Sequence, residues 1–95
     1  MRRVRWTQPA RRDFLNICDW IDERNPAAAE KVGWRLLDAV DRLAERPFQG
    51  RVGRVEGTRE LVFPGLPYVM IYLIEGEDAV AIVRIIHGAM RWPPE

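Results

Sequence analysis

Gly57-Thr58-Arg59-Glu60-Leu61-Val62-Phe63, Tyr68-Val69-Met70-Ile71-Tyr72-Leu73-Ile74 and Ala79-Val80-Ala81-Ile82-Val83-Arg84-Ile85-Ile86-His87-Gly88 are three apolar runs that decide the fold. Only Pro64-Gly65-Leu66-Pro67 and Glu75-Gly76-Glu77-Asp78 separate them. Branched and aromatic runs joined by such short turn segments read as an antiparallel three-strand meander. Each outer strand carries one arginine among aliphatic neighbours, Arg59 and Arg84, and the last ends in the chain's single histidine, His87. Buried cations need a reason: they either satisfy a buried carboxylate or face an anionic partner.

Upstream of the meander, Arg3-Val4-Arg5-Trp6 alternates as a short first strand. Thr7 is placed to cap a helix with Pro9 in its first turn, where a missing N–H costs little. Ala10, Phe14, Ile17, Cys18 and Ile21 then recur at helical spacing. Asn25-Pro26 starts a second helix, with Asn25 as cap, and Ala29, Val32, Leu36, Val40 and Leu43 form its apolar stripe. Pro47 ends that helix, and Phe48 to Arg54 reads as a loop. The expected order is β-α-α-β-β-β, an α+β fold with a helical hairpin packed on one face of a small, mostly antiparallel sheet. Residues 1–95 form one expected domain, since this length supports a single modest core.

Composition narrows the function. The net charge is +1, yet residues 1–12 hold five arginines and no acid, while residues 13–45 hold eight acids and four bases. Local basic patches are therefore expected on a body that is not strongly basic overall, unlike a dedicated nucleic-acid binder. No apolar run reaches the roughly 20 residues of a membrane span, so no membrane partner is expected. One cysteine, Cys18, excludes an internal disulfide and suits a reducing cytoplasm; beside an apolar helix stripe it reads as core filler. With one cysteine and one histidine there is no metal-ligand cluster, and no dinucleotide fingerprint is present, so neither metal nor cofactor is expected. The Arg46–Arg54 loop, with Gly50 and Gly53, lacks the lysine and helix start of a phosphate-binding P-loop.

The chain resembles the ParE/RelE toxin superfamily, the toxins of type II toxin–antitoxin modules. The resemblance runs over about ninety residues: Trp6-Thr7 leading to Ala10 and Asp13, Pro26 and Ala28, Pro47 followed by Gly50-Arg51, then Gly57-Thr58-Arg59-Glu60-Leu61-Val62, Tyr68-Val69, Ile71-Tyr72, Val83-Arg84-Ile85-Ile86-His87-Gly88 and Trp92-Pro93. It implies a cognate antitoxin whose disordered C-terminal segment folds onto the toxin, with DNA contacted only through that antitoxin. It also implies one of two activities. RelE-like members cleave mRNA on the ribosome; ParE-like members bind and poison DNA gyrase.

For RNA cleavage the resemblance makes Arg59 and Arg84 phosphate clamps, with His87 as acid or base. Strand alternation groups Arg84 with Ile82 and Ile86, and His87 with Val83 and Ile85, so the two face opposite sides unless a bulge intervenes. RelE-like members also tend to carry denser basic clusters and a C-terminal tyrosine, whereas no tyrosine follows Tyr72. The gyrase-directed reading is preferred, and the ribosome-dependent endoribonuclease is its alternative. In the preferred reading Arg59 and Arg84 pair structurally with an acid or a carbonyl. Met90, Arg91 and Trp92 in the tail are the candidates for target contact, against the simpler expectation that Trp92 folds back as a lid on the core. Trp34, opposite the stripe of the second helix, and Trp20, at the edge of the first, are candidates for antitoxin contact. The bland expectation is that the N-terminal strand or the tail covers Trp34 and that Trp20 packs at a boundary.

Overall fold

The computed structural model describes residues 1–94. In chain order the elements are β1 (Arg3–Trp6), α1 (Gln8–Asp22), α2 (Pro26–Glu45), a short 3-10 turn (Pro47–Gln49), β2 (Arg51–Val52), β3 (Arg59–Val62), β4 (Tyr68–Glu75) and β5 (Ala79–His87). Both helices begin where the capping residues require. The Thr7 hydroxyl accepts the Ala10 N–H at 3.2 Å, the Asn25 side chain accepts the Ala28 N–H at 3.1 Å, and a proline follows each cap. The strand order is β1-β5-β4-β3-β2. The meander β3-β4-β5 is antiparallel, and β1 lies parallel to β5 with Arg3 opposite Ala79 and Trp6 opposite Ile82. Gly65 and Gly76 take φ values of 79° and 61° in the two hairpin turns, a region that side chains avoid.

One element departs from the expected order. Arg51 and Val52, read as loop, pair with Glu60 and Arg59 and add a fifth strand at the sheet edge. The first of the three apolar runs is also shorter, since Gly57 and Thr58 form the approach to β3 and not part of it. Two residues are too few for any periodic signal, so β2 exists only because β3 offers a free edge and polar side chains hold it there.

The helices cover one face. Leu36, Ala39, Val40 and Leu43 of α2 and Ala10 of α1 pack with Met70, Tyr72, Val80, Ile82 and Ile85, and Phe14, Ile17, Val32 and Leu61 border that cluster. The opposite face carries a smaller cluster, Val69, Ile71 and Ile86, against which Val83 and Trp92 rest. The switch from Ile82 to Ile85 on the helix side follows from a bulge. Ile71 pairs with Arg84 but Tyr72 pairs with Ile82, which leaves Val83 without a partner on β4. One extra residue reverses the alternation of everything after it. Arg84 therefore shares the helix-free face with Ile86 but not with Ile82, and His87 shares the helix face with Ile85 but not with Val83, correcting both expected groupings. Because the bulge precedes Arg84, Arg84 and His87 still face opposite ways.

Gly33 sits inside α2, where a Cβ would meet nothing nearer than the Cys18 sulfur at 3.6 Å, an ordinary contact. Glycine within a helix costs about 0.5–1 kcal/mol relative to alanine. Gly33→Ala is expected to raise stability by about that amount, measured by urea unfolding with unchanged m-value.

Candidate functional site

The sequence singles out Arg59, Arg84 and His87, and the fold disperses them. Arg59 pairs with Tyr72 across the sheet and so lies on the helix side; Arg84 pairs with Ile71 on the other side; His87 pairs with Tyr68 at the far end of β4. Four residues along β4 separate the rows of Arg59 and His87, roughly 13 Å, and two strand spacings add about 10 Å across.

Each arginine is also occupied. Arg59 donates through Nη1 to the Gly50 carbonyl, and its guanidinium lies 5.1 Å from the centre of the Phe48 ring. The adjoining network holds the turn after α2. The Tyr72 hydroxyl donates to the Pro47 carbonyl at 2.7 Å and accepts the Gly50 N–H at 2.9 Å. A Cβ on Gly50 would sit 2.5 Å from that hydroxyl, so only glycine lets the chain pass this close. Burial pushes the Tyr72 phenol up, and the Gly50 N–H and Arg59 offset this only in part.

Arg84 donates to both carboxylate oxygens of Asp13 on α1, from Nε at 2.6 Å and from Nη2 at 3.1 Å, and the Ile85 N–H completes the set at 2.9 Å. The bond to Asp13 raises the guanidinium's pKa above its ordinary value, against the opposing effect of burial. β1 ends opposite Ile82. Asp13 therefore supplies the acceptor that a longer β1 would have given the next part of β5.

His87 accepts the Ala89 N–H at Nδ1, 3.1 Å, and its ring meets Tyr68 edge-on at 6.0 Å. With Pro67, Asn16, Ile17 and Trp20 these two rings line an apolar cavity of about 430 Å³ between α1 and the end of the sheet. Burial first, and Cys18 second, push the Tyr68 phenol up, while burial and Asp19 raise the Cys18 thiol. Neither is activated as a base or nucleophile near neutral pH.

A buried carboxylate that sequence reasoning overlooked lies next to Arg59. Glu60, 1% exposed, accepts from Arg51 Nη2 at 2.9 Å, from the Arg54 amide at 3.0 Å, and from Arg54 Nη2 at 3.1 Å. Burial works to raise its pKa, but the Arg54 amide and the two guanidiniums outweigh burial and bring it down to about 2. The signal was present: an acid at a strand position, with arginines at 51 and 54 just upstream. Through Glu60 these arginines fasten β2 and the following turn to the helix-free face.

The tryptophans divide. Trp34 is 61% exposed on α2, so neither the N-terminal strand nor the tail covers it. It sits with Ala27, Glu30, Lys31 and Arg35 around a shallow depression. Trp20 is 58% exposed, more than boundary packing implies, and Arg24 stacks on it at 3.7 Å. Trp92 does fold back: it rests on Val69, Ile71 and Ile86, with the Arg84 guanidinium 5.9 Å from its ring. Met90 and Arg91 stay exposed beside it.

Two helices on one face of a mixed five-strand sheet, an N-terminal strand parallel to the last, and a short tail folded on the open face define a toxin of the RelE/ParE architecture. The family model described as the ParE toxin of the type II toxin–antitoxin system parDE matches residues 4–92. Y4kP of Sinorhizobium fredii, described as a candidate toxin, is 41% identical over 97% of this chain and 94% of its own length. Toxin RelE2 of Caulobacter vibrioides is 39% identical over 94% and 98%. A chain of the chromosomal ParDE system of P. aeruginosa superposes with a TM-score of 0.80 at 26% identity, covering 92% of this chain and 96% of that one. A chain of the RelBE2 toxin–antitoxin complex of Mycobacterium tuberculosis gives 0.65 at 25%, covering 90% and 96%. The chain belongs to the ParE/RelE superfamily of type II toxin–antitoxin toxins.

The Glu60 carboxylate is lower in pKa folded than unfolded, so its contribution is complete above the unfolded value near 4.5 and is lost as pH falls toward about 2. Glu60→Gln is expected to cost about 1–3 kcal/mol at neutral pH, below the usual cost of breaking a buried pair because the two freed arginines are half exposed and rehydrate. Its acid unfolding limb between pH 4.5 and 2 should be flatter than that of the parent in circular-dichroism titrations. Equal slopes would remove Glu60 from the acid response.

Proposed function

We propose that the chain arrests growth in the cytoplasm by binding and poisoning DNA gyrase, and that a cognate antitoxin neutralises it by folding a disordered segment onto its surface. The dispersal of Arg59, Arg84 and His87 carries this reading. Cleavage of RNA asks for a base, an acid and cations around one phosphate, and here the two arginines lie on opposite faces, each committed to a protein acceptor. Both tyrosines are displaced away from neutral titration.

Inhibition by binding needs a different kind of surface. Exposed Met90 and Arg91 stand next to Trp92, which is anchored on the sheet and so presents them at a fixed place. Exposed Trp20 and Trp34 supply apolar anchors on the two helices for the antitoxin. In this reading DNA is reached only through the antitoxin. The alternative, a ribosome-dependent endoribonuclease, is favoured by the RelE names of the Caulobacter relatives.

Purified toxin is expected to inhibit gyrase supercoiling and to leave mRNA intact on translating ribosomes. Met90→Ala with Arg91→Ala should weaken inhibition by about tenfold or more, as loss of interface anchors does, while His87→Ala leaves growth arrest unchanged. Ribosome-dependent cleavage that disappears in His87→Ala would establish the alternative.

A further inference from the structure

Among the described residues three guanidiniums lie over aromatic rings, and one of these pairs joins distant parts of the chain. Arg24 stacks on Trp20, four residues before it, and Arg59 lies near the exposed Phe48 ring. Arg84 and Trp92, 5.9 Å apart, connect the open face of the sheet to the tail. Arg84 is also the one of the three whose guanidinium is gripped by a carboxylate from another element. Asp13 of α1 takes its Nε and Nη2 at 2.6 and 3.1 Å, and both side chains are largely shielded from water. Two bonds to one carboxylate fix the plane of the guanidinium as well as its position.

The tail leaves β5 through a turn tied by its backbone. The Gly88 N–H donates to the Pro67 carbonyl at 2.6 Å, and the Met90 N–H donates to the His87 carbonyl at 2.8 Å. Pro93 and Pro94 have no N–H to add. Beyond Met90, Trp92 supplies the tail's apolar contact with the sheet, on Val69, Ile71 and Ile86. Its indole N–H is shut off from water and has no acceptor among the described residues, so no hydrogen bond from it orients the ring. An aliphatic bed attracts a ring without giving it direction. Arg84, opposite Ile71 on the same face, supplies that direction, because a cation prefers the face of an aromatic ring to its edge.

We propose that Arg84 is a positioning residue for the target-contacting tail: clamped by Asp13, it seats the Trp92 ring and so sets where Met90 and Arg91 stand. The inference rests on the gyrase-directed reading above and assigns the residue that holds its contact site in place. Lysine at this position would keep the charge but lose the paired bonds to Asp13 that fix it. Leucine in place of Trp92 would keep apolar cover on the sheet but offer Arg84 no ring face, whereas phenylalanine would offer both.

The test compares the parent chain with Arg84→Lys, Trp92→Leu, Trp92→Phe and the double variant of the first two, each checked for folding by urea unfolding. The tryptophans are labelled as 5-fluorotryptophan and followed by fluorine NMR, with Trp92→Phe identifying the Trp92 signal among the four. Arg84→Lys is expected to move that signal and to leave those of Trp6, Trp20 and Trp34 in place. In supercoiling assays Arg84→Lys and Trp92→Leu should each inhibit gyrase about threefold to tenfold less than the parent, and Trp92→Phe within about twofold of it. The double variant should be no weaker than the weaker single one, since both remove the same contact. An unmoved Trp92 signal in folded Arg84→Lys, or losses that multiply in the double variant, overturns the proposal. If Arg84→Lys does not fold, equal inhibition by Trp92→Leu and Trp92→Phe overturns it instead. A parent that leaves gyrase untouched removes the target reading, and the Trp92 signal in Arg84→Lys then decides by itself whether Arg84 seats the ring.

Discussion

The carboxylate of Asp13 holds the molecule's main seam. At the point where β1 stops, α1 turns over the edge of β5, and Asp13 takes the Ile85 N–H and the Arg84 guanidinium at once. At the start of the same helix, the Thr7 hydroxyl contacts the Ile82 and Val83 carbonyls at 3.0 and 2.9 Å while it caps α1. These bonds fix the bulge at Val83, and the bulge decides which side chains after it reach the helix layer. Without that extra residue Arg84 would be driven into the apolar core and Ile85 out of it. Burying an arginine among aliphatic residues costs several kcal/mol, so the bulge and its polar clasp are a condition of the fold and not an ornament on it.

The far edge of the sheet is held by a second polar system with a different logic. Tyr72, Gly50 and Arg59 fasten the turn after α2 from the helix side, while Glu60 with Arg51 and Arg54 fastens β2 from the open side. The segment between α2 and β3 is thereby gripped on both faces although it buries little apolar surface. Buried polar groups of this kind define one conformation because any other leaves them unpaired. Both arginines that chemistry would have wanted for phosphate are used as such fasteners, each held by a protein acceptor.

Much of the architecture was legible from local signals. Thr7 and Asn25 announce their helices through capping, Pro47 stops the second, and the three apolar runs with proline- and glycine-containing turns allow little other than a meander. What could not be read depends on partners distant in sequence. Val83 is indistinguishable from its neighbours until β4 is laid beside it, so the groupings around Ile82 and Val83 were misassigned. Of the adjacent pair Arg59 and Glu60, alternation says that they part, but not that the acid is the buried one; that follows from Arg51 and Arg54 closing over it. The exposure of Trp34 was visible as a departure from the α2 stripe, whereas the absence of any cover needed the whole fold. The resting place of Trp92 on Val69, Ile71 and Ile86 was anticipated from its size, but its face was not.

The pairing of β1 with β5 joins segments far apart in the sequence. Arg3–Trp6 has no strand to lie against until Ala79–Ile82 has left the ribosome, and Asp13 has no cation to bind until Arg84 follows. Contacts of such long sequence separation form late. A chain that stops before β5 thus carries β1 without its neighbour and α1 without its Arg84 contact. Every surface that depends on the completed sheet therefore appears only after β5 has been made.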